Sequence, residues 1–124
     1  MTARAASVLV VEDEALIRPM LVDMLEGGLG HRVVAEAGNV LEGMSLAENT
    51  EFDLAVLNIN VRRRNVLPVA QAIEKRGLPF LFVSGYKRTD LPALFGDRLL
   101  VEKPVEISKL KAAIGTVLGS QSAR

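Results

Sequence analysis

Five short runs of apolar, largely β-branched or aromatic residues alternate along this chain with segments whose apolar residues recur at helical spacing. Ser7-Val8-Leu9-Val10-Val11 opens the series and reads as a buried strand. From Glu14 to Glu26, Ile17, Met20, Leu21, Met24 and Leu25 fall on one helical face, and Gly27-Gly28 is expected to stop that helix. Val33–Ala37 follows as a strand and Val40–Asn49 as a helix. Leu54–Asn58 is a third strand, and Leu67–Arg76 a third helix closed by Gly77. Pro79 leads into a strand at Phe80–Ser84, Asp90–Phe95 allows a brief helix, and Leu99–Glu102 makes a fifth strand. The last helix, Glu106–Leu118, carries Ile107, Leu110, Ala113, Ile114 and Val117 on one stripe. Strands that are apolar throughout and separated by helices bury both faces, which requires an α/β, doubly wound (βα)5 parallel sheet.

With 124 residues the chain is expected to be a single domain over 1–124, with a core at about 7–119. It contains no cysteine, so disulfides, thiol chemistry and thiolate metal sites are excluded. Fifteen basic residues balance fifteen acidic ones, which argues against a nucleic-acid partner. The longest apolar run falls far short of the ~20 residues that cross a bilayer, so a cytoplasmic protein with no membrane partner is expected. Gly27, Gly28 and Gly30 lack dinucleotide-binding spacing and end a helix rather than begin one.

An open parallel sheet places its ligand crevice at the carboxyl ends of the strands. Those ends are Glu12-Asp13, Asn58, Ser84 and Lys103. Paired acids suit a hard cation such as Mg2+, which takes oxygen ligands; Asp13 and Glu14 equally suit the cap of the helix that follows. Ser84 could hydrogen-bond a phosphoryl oxygen or be an ordinary strand-end serine. Lys103, followed by Pro104, could meet a phosphate or form a salt bridge with Glu12, Asp13 or Glu102.

Taken together, Val8–Glu14, Asp53–Asn60, Phe82-Val83-Ser84-Gly85-Tyr86 and Val101-Glu102-Lys103-Pro104 resemble the receiver domain of two-component response regulators over essentially the whole chain. The resemblance implies a flavodoxin-like sheet with strand order 2-1-3-4-5 and a cis Lys103-Pro104 bond. It implies that Glu12, Asp13 and the backbone carbonyl of Asn60 hold Mg2+, and that Ser84 and Lys103 bind the phosphoryl group. The implied partner is a sensor histidine kinase or another signalling protein, engaged through the first helix and the crevice loops. The Ser84-Gly85-Tyr86 segment also resembles a subset of stand-alone alphaproteobacterial regulators, and no output domain is expected.

Several positions depart from that pattern. Asn58 stands where the family's phospho-accepting aspartate would be. An amide cannot form an acyl phosphate, and it removes one negative charge from the Mg2+ site, so a weakened cation is expected. A natural pseudo-receiver and an engineered inactivating substitution both account for it. Leu100 replaces the aromatic residue many receivers carry there. Pro92 and Gly96 shorten the fourth helix, so homodimerisation through that region is less secure than in the family. Arg62-Arg63-Arg64 follows Asn58 as a solvated basic loop, or as a set of charges that shields the acids or binds an anion or acidic surface. His31 is expected to be exposed. The favoured class is a non-enzymatic receiver acting by protein contact; the alternative is a small α/β nucleotide-binding or enzyme domain. Against that alternative stand the missing phosphate-binding loop and a crevice without histidine or cysteine.

Overall fold

A computed structural model describes residues 5–62, 64–85 and 99–122. The chain runs β1 (Ser7–Val11), α1 (Ile17–Asp23), β2 (Arg32–Ala37), α2 (Val40–Asn49), β3 (Leu54–Asn58), β4 (Asn60–Val61), β5 (Arg64–Asn65), α3 (Leu67–Lys75), β6 (Phe80–Ser84), β7 (Leu100–Glu102) and α4 (Ile107–Ser122). Five strands form one sheet ordered β2-β1-β3-β6-β7. Each neighbouring pair is parallel. This is the 2-1-3-4-5 order expected of a flavodoxin-like sheet.

The two-residue alternation of the strands sorts the core into two layers. Leu9, Val11, Ala55, Leu57, Phe80 and Phe82 face α2 and α3, where Val40, Ala47, Val69 and Ile73 meet them. Val8, Val10, Leu54, Val56, Leu81 and Val83 point the other way, onto Leu21 of α1, Leu25 just beyond it, and Leu110 and Ile114 of α4. β3 and β6 are buried along their whole length, as continuous apolar runs in a parallel sheet should be. At the sheet edge, the Glu26 carboxylate accepts the N–H of Val33 at 3.0 Å.

Helix ends follow local chemistry. The Asn39 side chain accepts the N–H of Glu42 at 2.8 Å and starts α2. Gly77, with φ of 73°, ends α3: its N–H reaches the Glu74 carbonyl and the Leu78 N–H that of Ile73. That is a Schellman closure, and it needs a residue without Cβ strain in the left-handed region.

α1 differs from expectation at both ends. Pro19 has no N–H for the carbonyl four residues back, and regular helix begins at Ile17 rather than Glu14. Gly27-Gly28 does not stop the helical path. A π-helical turn continues over Met24–Gly28, with the Leu29 N–H on the Met24 carbonyl, and the chain reverses at Gly30. α4 extends past Leu118 to Ser122, and Ile107 is 41% exposed rather than part of its buried stripe. His31 is half-buried rather than exposed, its Nδ1 accepting the N–H of Ala6 at 3.0 Å. The helix expected at Asp90–Phe95, with Tyr86, Pro92 and Gly96, lies outside the described residues, as does Arg63. No helix among the described residues is long and apolar enough to cross a membrane.

Candidate functional site

The strand ends do converge, and their side chains form one connected polar network. Glu12 continues the line of β1, its N–H bonded to the Ala37 carbonyl at 3.0 Å. Its side chain is fully buried. One carboxylate oxygen, Oε2, accepts the N–H of Glu14 at 3.1 Å. The other, Oε1, receives no well-directed hydrogen bond and is balanced by the Lys103 ammonium at 3.1 Å. Burial pushes the Glu12 carboxyl above the usual glutamate range, against the opposing pull of the Glu14 N–H and Lys103.

Asn58 ends β3, where the Ile59 N–H holds the chain against the Val83 carbonyl of β6. Its side-chain nitrogen Nδ2 donates in three directions: to Glu12 Oε2 at 3.1 Å, Asp13 Oδ1 at 3.2 Å and the Asn60 carbonyl at 2.7 Å. Three acceptors around one atom fix which end of the amide is nitrogen, because the oxygen would meet only other oxygens there.

Asp13 Oδ2 accepts the backbone N–H of Arg62 at 2.9 Å. Burial opposes its charge, but the Arg62 N–H and the contact with Asn58 prevail and hold the carboxyl below the ordinary aspartate range. Arg62 makes this bond from a left-handed conformation, φ 51°, which costs a non-glycine residue about 1–2 kcal/mol. Its guanidinium turns away to the Gly38 carbonyl at 3.2 Å. The basic loop therefore shields the acid through a peptide N–H, inside a small antiparallel hairpin of β4 and β5; Arg64 is exposed on that hairpin.

Lys103 follows β7, and its N–H is anchored on the Ser84 carbonyl at 2.8 Å. The Lys103-Pro104 bond is cis, as expected. The ammonium lies 3.1 Å from Glu12 and 2.8 Å from Glu14. Desolvation works against its charge, but the two carboxylates outweigh that and raise its pKa. Ser84 is buried beside Val83, the register partner of Asn58.

Glu12, Asp13, Asn58, Asn60 and Lys103 thus share one hydrogen-bonded cluster, with Ser84 beside it. Neither Asp13 nor Glu14 caps α1, whose first residues carry no side-chain cap. Glu14 as a partner of Lys103 was not foreseen, nor was Arg18, which donates to the Glu12 carbonyl at 3.2 Å and pairs with Glu36 at 3.4 Å. A basic residue one helical turn beyond Glu14 was the available signal for Arg18. Nothing local marks Arg62's peptide N–H.

The family model for the response regulator receiver domain matches residues 8–115. The chain belongs to the response regulator receiver family. It is 36% identical over 111 residues to the transcriptional regulatory protein PdtaR of Mycobacterium tuberculosis, covering 86% of this chain and 54% of PdtaR. The solution structure of SdrG from Sphingomonas melonis Fr1 superposes with a TM-score of 0.80 at 32% identity, over 92% of this chain and 97% of SdrG. PhyR from Brucella abortus gives 0.83 at 26% identity, over 97% of this chain and 50% of PhyR. The chain thus spans about half the length of PdtaR and PhyR. Its setting is two-component signal transduction, in which receivers act by protein contact, and these similarities do not favour a nucleotide-binding or enzyme domain. Receivers in general bind Mg2+ at the acidic pocket of this crevice.

Proposed function

We propose that this chain is a pseudo-receiver, a signalling module that works through protein contact without accepting phosphate at Asn58. The observation that carries this reading is the state of the Asn58 side chain. A carboxamide has no anionic oxygen to attack phosphorus, and its nitrogen is committed to Glu12, Asp13 and Asn60. No hydroxyl stands in for it on β3, whose other residues are Leu54, Ala55, Val56 and Leu57. Of Ser84 and Lys103, the residues expected to bind the phosphoryl group, Lys103 already has its ammonium paired to two carboxylates.

The Mg2+ ligands expected from the resemblance, Glu12, Asp13 and the Asn60 carbonyl, are oxygen donors of the right kind. As they stand they do not fit the ion, because an N–H donor sits among them. No group of three or more histidines, cysteines or acids suited to a metal ion occurs among the described residues.

The partner is a sensor histidine kinase or another signalling protein of the same pathway, in the cytoplasm. The crevice rim offers contact surface: Leu16, before α1, is 87% exposed and Leu41, in the first turn of α2, is 73% exposed. Isolated leucines are common on surfaces, but these two flank the loops in question.

The test is intact mass after incubation with acetyl phosphate and Mg2+. The chain as given is expected to gain no phosphate, whereas Asn58→Asp is expected to gain one, dependent on Asp13 and Lys103. A phosphate adduct on the unaltered chain, mapped to this crevice, would overturn the proposal.

A further inference from the structure

We infer that the Asn58 carboxamide takes the place of the divalent cation in this crevice, so that the site closes without metal and Mg2+ has no hold on its conformation. The inference rests on reading the crevice as a receiver site and deepens that reading.

Two carboxylate oxygens and a peptide carbonyl converge on one point, which is how a protein addresses a hard cation. The atom at that point is Asn58 Nδ2, 3.1 Å from Glu12 Oε2, 3.2 Å from Asp13 Oδ1 and 2.7 Å from the Asn60 carbonyl. Its two hydrogens, one of them shared, supply positive charge to three acceptors. Without a donor there, the buried Glu12 Oε2 would keep only the Glu14 N–H, and a buried carboxylate oxygen that loses a hydrogen-bond donor is expensive.

The other carboxylate oxygens are also taken. Asp13 Oδ2 holds the Arg62 N–H, and Glu12 Oε1 faces Lys103, which also reaches Glu14. A cation entering this cluster has to break the three Asn58 contacts and then either lie beside an NH2 group or turn the carboxamide over. With aspartate at 58, the same oxygens would face a fourth carboxylate instead of a donor. Among the described residues, the cluster would then carry Glu12, Asp13, Glu14 and the new acid with the Lys103 ammonium as the cation paired to it.

The unaltered chain, Asn58→Ala and Asn58→Asp are melted in excess EDTA and in millimolar Mg2+. The unaltered chain is expected to melt at the same temperature in both. Both variants should melt lower in EDTA and recover several degrees in Mg2+, with the aspartate variant recovering more, because ligand binding to the native state raises stability by mass action. Equal stabilisation of the unaltered chain and Asn58→Asp by Mg2+ would overturn the inference, as would an alanine variant as stable as the parent in EDTA.

Should either variant fail to fold, the Asn58 side-chain NH2 resonances of the parent decide. They should stay fixed as Mg2+ is added, and saturable movement at millimolar Mg2+ overturns the idea. The phosphate-adduct assay fails separately: an adduct refutes the pseudo-receiver reading, while the melts report on the carboxamide alone.

Discussion

His31 stands 25 residues from Ala6, and its ring nitrogen accepts that residue's N–H. An acceptor must be unprotonated, and burial lowers the His31 pKa. A histidine whose folded pKa lies below its unfolded value of about 6.5 favours folding above that value, and the stability is lost as pH falls from there through the lower folded pKa. It is the only histidine in the chain. Urea melts between about pH 7.5 and 5.5 should therefore lose stability more steeply for the parent than for His31→Ala; parallel curves would contradict the assignment. The sequence suggested an exposed turn here because the acceptor's partner is remote, and no local pattern reports such a pairing. Glu12 and Asp13 pose the same problem. Their place at the end of β1 was legible from the strand pattern. Their opposite pKa shifts were not, because those depend on which backbone N–H and which ammonium each carboxylate meets.

α2 was read to the residue, and α3 to within one, ending at Lys75 rather than Arg76. α2 begins after Asn39, whose side chain caps it, and α3 closes at Gly77. The end of α1 was misread because two glycines permit a stop but do not dictate one. The Leu29 and His31 N–H groups instead bond to Met24 and Leu25 and carry the turn onward. β4 and β5 escaped notice because two residues per strand have no periodicity. One comparison isolates backbone conformation from packing. Alanine's Cβ would meet nothing within 4 Å at Gly77 or at Gly115, but only Gly77 has a positive φ. Gly77→Ala should therefore cost about 1–2 kcal/mol, while Gly115→Ala in exposed α4 should gain about 0.5–1 kcal/mol. Denaturant midpoints of the two variants should move in opposite directions.

At the scale of the molecule, the parallel sheet and the convergence of its strand ends were legible because alternation of strand and helix leaves few topologies. What the alternation could not show is how far the crevice satisfies itself. Charges can be counted along a sequence, but the hydrogen-bond geometry that joins Asn58, Arg62 and Lys103 to the acids exists only in the fold. The outer edge of the sheet repeats this economy in a different setting. Among the described strands β2 has β1 alone as neighbour, and an open strand edge is a template on which a second chain can add. The Glu26 carboxylate already occupies the Val33 N–H there, so an incoming strand would find that rung taken and a negative charge beside it. A side chain that looks like a simple surface bond thus blocks one rung of the open edge. Removing it by Glu26→Ala should leave the fold intact while raising light scattering at high protein concentration.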